Sequence, residues 1–326
     1  MSHIKYDQLS KIRHLDVANI NDRTLSSLTF FADGEWEVWF STDEGQLLKI
    51  IAKPAEAFYF GDRPELDSDL YFPFLDFMVQ RASYPEVMKL LFGLKDDLFN
   101  LSASLRKVGF LYEQRDKLNH GVSRMVISEI EYIFTTCRSM FDLLQEIIAK
   151  LWSGIKLIDE NIQKKSLPDT FSKMVLRDNK PISAEEIARL SKIPTPMAEF
   201  YARSSDFFCT LRKFRDIVMH GGSSVDTVFV GERDFMVRAD LSPFAKTSIW
   251  EKADSHPNNL RDLTPALTAV VCETLGDFSE VFGTIIAFPP PLFPRMNYYM
   301  RGYFNDHLSA VASDYGRRIM CNLGQA

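Results

Sequence analysis

The feature that most limits the fold of this chain is a long run of residues with a helical apolar period, from Arg124 to Trp152. Its apolar side chains recur at steps of three and four residues, which places them on one face of a helix. We expect Ser123 to cap the start of this helix. A face of this length must be covered by other helices, so the run predicts a helical bundle. The stripe is formed by Ile127, Ile130, Phe134, Phe141, Leu144, Ile148 and Leu151.

Three further helices are predicted from the same period. The first carries a stripe from Leu98 to Leu111 and ends near His120-Gly121. The second begins at Thr195-Pro196, with proline in its first turn, and ends at Gly221-Gly222. A linker with a capping box from Ser183 to Glu186 precedes it. The last helix opens at Thr264-Pro265.

Two segments have strand character. Residues 24–60 alternate in polarity between turn signals at 33–34 and 43–45, which predicts a short β-meander. Residues 226–239 predict a β-hairpin directly after the second of the three helices. We therefore predict a mostly α fold: a helical bundle with a small N-terminal β-meander and a β-hairpin insertion. The predicted parts are an N-terminal α/β region (1–83), the bundle (84–290) and a tail packed on the bundle (291–326).

Composition limits the class of protein. The chain is 46% hydrophobic with a net charge of −6, which is typical of a globular protein and unfavourable for binding many phosphates non-specifically. Its four cysteines are scattered and no signal peptide or membrane-spanning segment is predicted, so we expect a cytoplasmic protein that does not enter the membrane. Walker, dinucleotide-binding, serine-hydrolase and zinc-peptidase motifs are absent from the sequence.

One pattern, Arg-Asp-x-x-x-His-Gly, occurs twice. The copies are Arg115, Asp116 and His120, and Arg215, Asp216 and His220. Cations followed by glycine are common at helix ends, because the helix dipole favours positive charge there. By composition alone, however, this strict spacing is expected far less than once in the chain. It therefore indicates either a helix terminus or a catalytic motif.

The second copy has the geometry of a site. Arg212, Asp216 and His220 are spaced i, i+4 and i+8 and lie opposite the apolar face of their helix. Arg215 is on the flank between the two faces. Asp216 is one turn from His220 and is expected to orient its imidazole. A buried His220 would contradict a catalytic role.

The first copy favours a structural interpretation, because Arg115 falls on the apolar stripe of its helix and the next helix begins within three residues. A single site built from both copies is the alternative. On the long helix, Arg138 and Asp142 are spaced i, i+4. We interpret them as an intrahelical pair, with support of His220 from the neighbouring helix as the alternative.

The long aliphatic helix, the linker and the helix ending LRKFRDIVMHGG resemble the HEPN superfamily over roughly residues 120–290. That superfamily is marked by Arg, a polar residue and His at this spacing. The resemblance implies a helical bundle, often dimeric, that cleaves RNA without metal or cofactor. It assigns phosphate binding to Arg215, proton transfer to His220 and the holding of His220 to Asp216.

The resemblance also implies RNA as the substrate, a homodimer, and a role as a toxin or as an effector of stress or phage defence, which an antitoxin or activator protein could control. The chemistry is reasonable, since a guanidinium matches a phosphate and an imidazole titrates near neutral pH. The chain departs from the family in its acidic charge and its β-hairpin. Many members of the superfamily are inactive, so a non-catalytic binding or regulatory module is the competing hypothesis.

Overall fold

A computed structural model describes residues 2–5, 27–32, 35–41, 46–50, 58–61, 64, 69–80, 85–118, 120–156, 164–221, 225–285, 299–302 and 305–323. It divides into two compact units, Met1–Tyr59 and Phe60–Ala326. The turns predicted at 33–34 and 43–45 and the proline-rich segment 286–298 lie outside these residues. The division predicted at 83 and 290 stays a prediction.

The first unit contains a four-stranded antiparallel sheet with the order β1-β4-β3-β2. Consecutive strands β2, β3 and β4 pair with one another, so the predicted β-meander is confirmed. Trp39 is buried, and the Lys49 ammonium lies 5.6 Å from its ring centroid. The strands are β1 (Ser2–Lys5), β2 (Ser27–Ala32), β3 (Glu35–Ser41) and β4 (Gln46–Ile50).

The second unit is mostly helical, as predicted. Strand β5 (Phe58–Gly61) contains the boundary between the units. The other strands of the second unit are β6 (Leu176–Arg177), β7 (Lys180–Pro181), β8 (Phe229–Val230), β9 (Phe235–Arg238), β10 (Leu260–Asp262) and β11 (Tyr299–Gly302). Its helices are α1 (Pro73–Gln80), α2 (Pro85–Glu113), α3 (Arg115–Leu118), α4 (Val122–Gly154), α5 (Phe171–Val175), α6 (Ala184–Ser191), α7 (Thr195–Gly221), α8 (Leu263–Glu280) and α9 (Asn305–Leu323).

Helix α4 forms the centre of the bundle, and its whole predicted stripe is buried. Gly121, at φ 85°, and not Ser123, is its N-cap residue. The prediction of a Ser123 cap was therefore wrong: the tight corner after α3 needs a left-handed residue, which glycine adopts without strain. One of the two hydrogen bonds of the predicted capping box at α6 is confirmed: the Ser183 hydroxyl accepts from the Glu186 N–H.

Helices α2 and α7 pack antiparallel against α4. Ser104 of α2 donates to Glu129 near the start of α4 at 2.5 Å. Across α4 and α7, Tyr201 donates to Gln145 at 2.7 Å, and the Phe134 and Phe214 ring centroids are 4.6 Å apart. Residue numbers fall along α4 as they rise along α7, so the end of α7 lies near the start of α4. The start of α4 and the ends of α2 and α7 therefore share one end of the bundle.

An aromatic cluster surrounds Phe141 at the middle of the core. Its ring contacts those of Phe171, Phe207, Phe208 and Phe278, which joins α4, α5, α7 and α8. Edge-to-face ring pairs of this kind add about 0.5–1.5 kcal/mol each beyond simple area burial. Helix α7 is therefore held firmly along its apolar face, and its opposite face is left for other contacts.

The predicted β-hairpin is also confirmed. Strands β8 and β9 pair antiparallel, and β10 extends them to a three-stranded sheet. Helix α9 was not predicted. It packs on α8 and is fixed by Arg318, which pairs with the buried Asp254 and with Asp314.

Candidate functional site

The candidate site lies on the last three turns of α7. Leu211 and Phe214 are buried against the bundle, so the residues on the opposite side of the helix are directed away from the core. Asp216 is half-buried and His220 is exposed, as their spacing predicts. The exposure of His220 removes the objection that a buried imidazole would raise against catalysis.

Asp216 is the centre of a small charge cluster. Its Oδ1 accepts a hydrogen bond of 2.9 Å from Arg215 Nη1, and its Oδ2 lies 3.6 Å from Arg212 Nε. The Arg215 and Asp216 side chains are 40% and 42% exposed, so solvent screens the pair and its contribution to stability is small. The cluster brings the guanidinium groups of Arg212 and Arg215 to the same carboxylate.

Asn179 supports this cluster, and the sequence analysis did not predict it. Its Oδ1 accepts a hydrogen bond of 3.2 Å from Arg212 Nη2. Asn179 has a φ of 60° in the turn between β6 and β7, where asparagine tolerates the left-handed conformation. The turn thereby anchors Arg212 from outside its own helix. Its only sequence signal is the Asp-Asn pair at 178–179, which indicates a turn but no partner.

His220 differs from the expected geometry. The expected contact with Asp216 is not formed, because the carboxylate is engaged by the two arginines. Among the residues that the structure describes, the His220 ring has no hydrogen-bond or ion-pair partner.

Arg138 and Asp142 form the predicted intrahelical ion pair on α4. Asp142 also accepts from the Phe171 N–H at 3.2 Å, and the Arg138 guanidinium lies 5.1 Å from the Phe208 ring centroid. Phe208 is twelve residues before His220 on α7, which corresponds to about 18 Å of helix. The pair therefore joins α4 to α5 and α7, and it is too far from His220 to orient it.

The first motif copy lies at the corner between α2 and α4. The Arg115 guanidinium stacks 4.2 Å from the Tyr112 ring centroid and donates to the Tyr112 carbonyl at 2.8 Å. Tyr112 in turn donates to the Gly231 carbonyl at 3.0 Å, which ties this corner to the hairpin loop after β8. Asp116 and His120 are exposed. These contacts support the structural interpretation of Arg115.

Both copies occupy the same end of the bundle without touching. The antiparallel register of α4 and α7 sets His220 beside about residue 128 of α4, whereas His120 directly precedes that helix. The two histidines are thus separated by roughly 10 Å or more along the bundle axis. In the part of the chain that the structure describes, no hydrogen bond or ion pair links the copies.

A His–Asp pair that the sequence did not predict lies outside both copies. His256 Nε2 is 2.6 Å from Oδ1 of the buried Asp262, whose Oδ2 accepts from Arg233 at 3.1 Å. Trp250 donates to the Asp262 carbonyl at 2.7 Å. The residues come from the hairpin loop and from the segment before α8, which share no recognisable spacing. Their contacts hold the three-stranded sheet against the start of α8.

Within the residues that the structure describes, no three His, Cys, Asp or Glu side chains are grouped as metal ligands would be. None of the helices there combines the length and apolar character that crossing a bilayer requires.

Comparison with protein-family models, with curated proteins and with solved structures gave no match to this chain.

Proposed function

We propose that this chain is a metal-independent endoribonuclease of the HEPN type, with Arg215 and His220 as its catalytic residues. The observation that carries the proposal is an exposed imidazole, without a partner among the described residues, on the same last turns of α7 as a guanidinium held by Asp216. A guanidinium binds phosphate oxygens in a bidentate manner. An imidazole can transfer protons near neutral pH.

The reaction follows from these two groups. His220 accepts the proton of a ribose 2′-hydroxyl, and the 2′-oxygen attacks the adjacent phosphorus. The bond from phosphorus to the 5′-oxygen breaks, and that oxygen takes the proton that His220 accepted from the 2′-hydroxyl. The products are a 2′,3′-cyclic phosphate and a 5′-hydroxyl, so neither water nor an external cofactor is consumed. Arg215 stabilises the charge on the phosphate oxygens during the transfer, and Arg212 is an accessory phosphate contact.

We further propose that the active form is a cytoplasmic homodimer in which two copies of this site face each other. Met219, beside His220, is 61% exposed, and dimer interfaces cover apolar side chains of this kind. RNA is the proposed substrate. A role as a toxin or as an effector of stress or phage defence, under the control of an antitoxin or activator, belongs to the same proposal.

The test is RNA cleavage in excess EDTA by the wild type, His220→Ala and the matched control His120→Ala. We expect the wild type and the control to release fragments that end in a 2′,3′-cyclic phosphate, and His220→Ala to lose at least about a hundredfold in rate. Equal rates for all three proteins, or no cleavage of structured or single-stranded RNA by the pure wild type, would contradict the proposal.

A non-catalytic binding or regulatory module is the second candidate. It is favoured by the engagement of Asp216 with Arg212 and Arg215, which leaves His220 without an orienting carboxylate. In this case RNA or another polyanion binds with the same affinity to the wild type and to His220→Ala, and neither protein cleaves it.

A further inference from the structure

The second unit contains a cavity of about 490 Å³ that is separate from the end of α7. It is enclosed by α4, α7, α8, α9 and the segment 243–249. Its volume lies within the usual range of small-molecule sites, about 300–1,000 Å³. None of the residues of either motif copy lines it. The cavity is therefore a candidate ligand site that the proposed function does not use.

The lining of the cavity combines an apolar floor with charge at its edges. Phe134, Phe207 and Val270 supply aromatic and aliphatic surface. Two carboxylates, Asp206 and Glu273, line the same space. Apolar walls with a few polar groups are the usual composition of sites for small organic molecules.

The charged side chains that line this cavity, Asp206, Lys246 and Glu273, are exposed to solvent. Neither carboxylate forms a hydrogen bond or ion pair with any residue in the described part of the chain, and the same is true of Lys246, which also lines the cavity. Desolvation by the surrounding protein raises the pKa of the Glu273 carboxyl. A cation placed beside this carboxylate would offset that cost, whereas an anion would increase it.

From these contacts we infer that the cavity binds a small organic amine with an aromatic or branched apolar body. The apolar body packs on Phe134 and Phe207, and the ammonium group lies between the carboxylates of Asp206 and Glu273. The Thr210 hydroxyl, already bonded to the Asp206 carbonyl at 3.1 Å, lies on the same wall. Two carboxylates against one lysine give the cavity a preference for positive charge.

Three compounds of one shape test the inference. Phenethylamine, phenethyl alcohol and hydrocinnamate carry the same ring on a cationic, a neutral and an anionic chain. Each is titrated into the full chain, and binding is measured by saturation-transfer NMR. We expect phenethylamine to bind at least about tenfold more tightly than the alcohol, and hydrocinnamate to bind most weakly.

Matched variants assign the binding to the cavity. Glu273→Gln and Asp206→Asn are each expected to weaken phenethylamine binding by about fivefold or more, whereas Lys246→Met strengthens it. Glu199→Gln removes one exposed carboxylate from α7 outside the cavity and should change nothing. Circular dichroism verifies that every variant is folded.

The inference is overturned if phenethylamine shows no saturation up to about 10 mM, if the neutral or anionic compound binds as tightly, or if Glu199→Gln loses as much affinity as the cavity variants. RNA cleavage by the same proteins is measured separately, so failure here and failure of the proposed nuclease activity are distinguishable.

Discussion

Arg215 donates a hydrogen bond of 2.9 Å to the carboxylate of its neighbour Asp216, although the spacing of the motif suggested that this carboxylate would serve His220. The guanidinium groups of Arg212 and Arg215 occupy this carboxylate, and His220 makes no contact with it. A guanidinium presents several N–H donors in a fixed plane and is always charged, so the carboxylate binds a guanidinium in preference to an imidazole. The Asp216 carboxylate therefore neutralises the proposed phosphate-binding group, Arg215, and holds it in place.

Replacing Asp216 with Asn should remove the ion pairs that hold Arg212 and Arg215. With the negative charge gone, Arg212 and Arg215 are free to contact phosphate, and we expect binding of a labelled single-stranded RNA to tighten by about two- to tenfold. The salt dependence of binding should steepen as well. Fluorescence anisotropy at two salt concentrations measures both effects. Glu199→Gln, at an exposed site earlier on α7, is the matched control, and an equal gain in that variant would show only a change in net charge.

Substitutions in the two motif copies should have different effects on stability and on RNA cleavage. Arg115→Ala removes the stacking on Tyr112 and one hydrogen bond, so we expect the free energy of unfolding to fall by about 1 kcal/mol with RNA cleavage unchanged. Arg215→Ala should have the opposite profile: little change in stability and a large loss of cleavage. Urea unfolding and the EDTA cleavage assay measure the two quantities on the same preparations. Loss of cleavage in Arg115→Ala would support a single site built from both copies.

The fold could be predicted from sequence wherever one face of an element is buried along its whole length. The predicted stripe of α4 is buried, and so is the predicted stripe of α2 from Leu98 to Val108, whereas its last residue, Leu111, is half-buried. The helical period places these side chains on one face, and packing of that face removes them from water. On α7, Leu211 and Phe214 are buried but Phe207 is only half-buried, since it lines the cavity.

Predictions failed where the outcome depends on residues distant in the sequence. The C-terminal helix α9 is fixed by Arg318 and Asp254, which are 64 residues apart, and no local pattern specifies that pairing. In the candidate site, spacing alone predicted that Asp216 and His220 lie on the outer face. It did not predict the partner of Asp216, because that partner depends on competition among the neighbouring basic side chains.

Tyr201 and Gln145 provide a test of the α4–α7 contact. Burial raises the pKa of Tyr201, so its hydroxyl remains a donor at all working pH values, and it donates to Gln145 Oε1 at 2.7 Å. Tyr201→Phe leaves that buried oxygen without its donor, and we expect the free energy of unfolding to fall by about 1–3 kcal/mol. Urea unfolding followed by circular dichroism measures the loss. Tyr132→Phe, at an exposed position of α4, should be within about 0.5 kcal/mol of the wild type.

Asp277 should make stability depend on pH. Burial raises its pKa from 3.8 to about 7, with nearby Glu280 and Glu273 acting in the same direction against the influence of Ser204 and Arg203. Between these two values the folded state binds more protons than the unfolded state, so the free energy of unfolding falls as the pH rises from about 4 to about 7.

Asp277→Asn removes this dependence. We expect the variant to be more stable than the wild type at pH 8 by about 1–3 kcal/mol, and to show little advantage at pH 4. Urea unfolding at pH 4, 6 and 8 follows the difference, with Glu199→Gln as the control. A variant that is destabilised equally at all three values would show that the carboxylate has a structural role independent of its charge.

The position of Ile319 has a consequence for the order of events during synthesis. This side chain lines the cavity, together with Phe134 and Asp206. Its neighbour Arg318 forms an ion pair with Asp254 that holds α9 in place. The ribosome adds Phe134 and Asp206 long before it reaches residue 319. A nascent chain can therefore assemble α4 and α7 while the cavity is still open on one side, and the proposed ligand site is completed only when α9 docks.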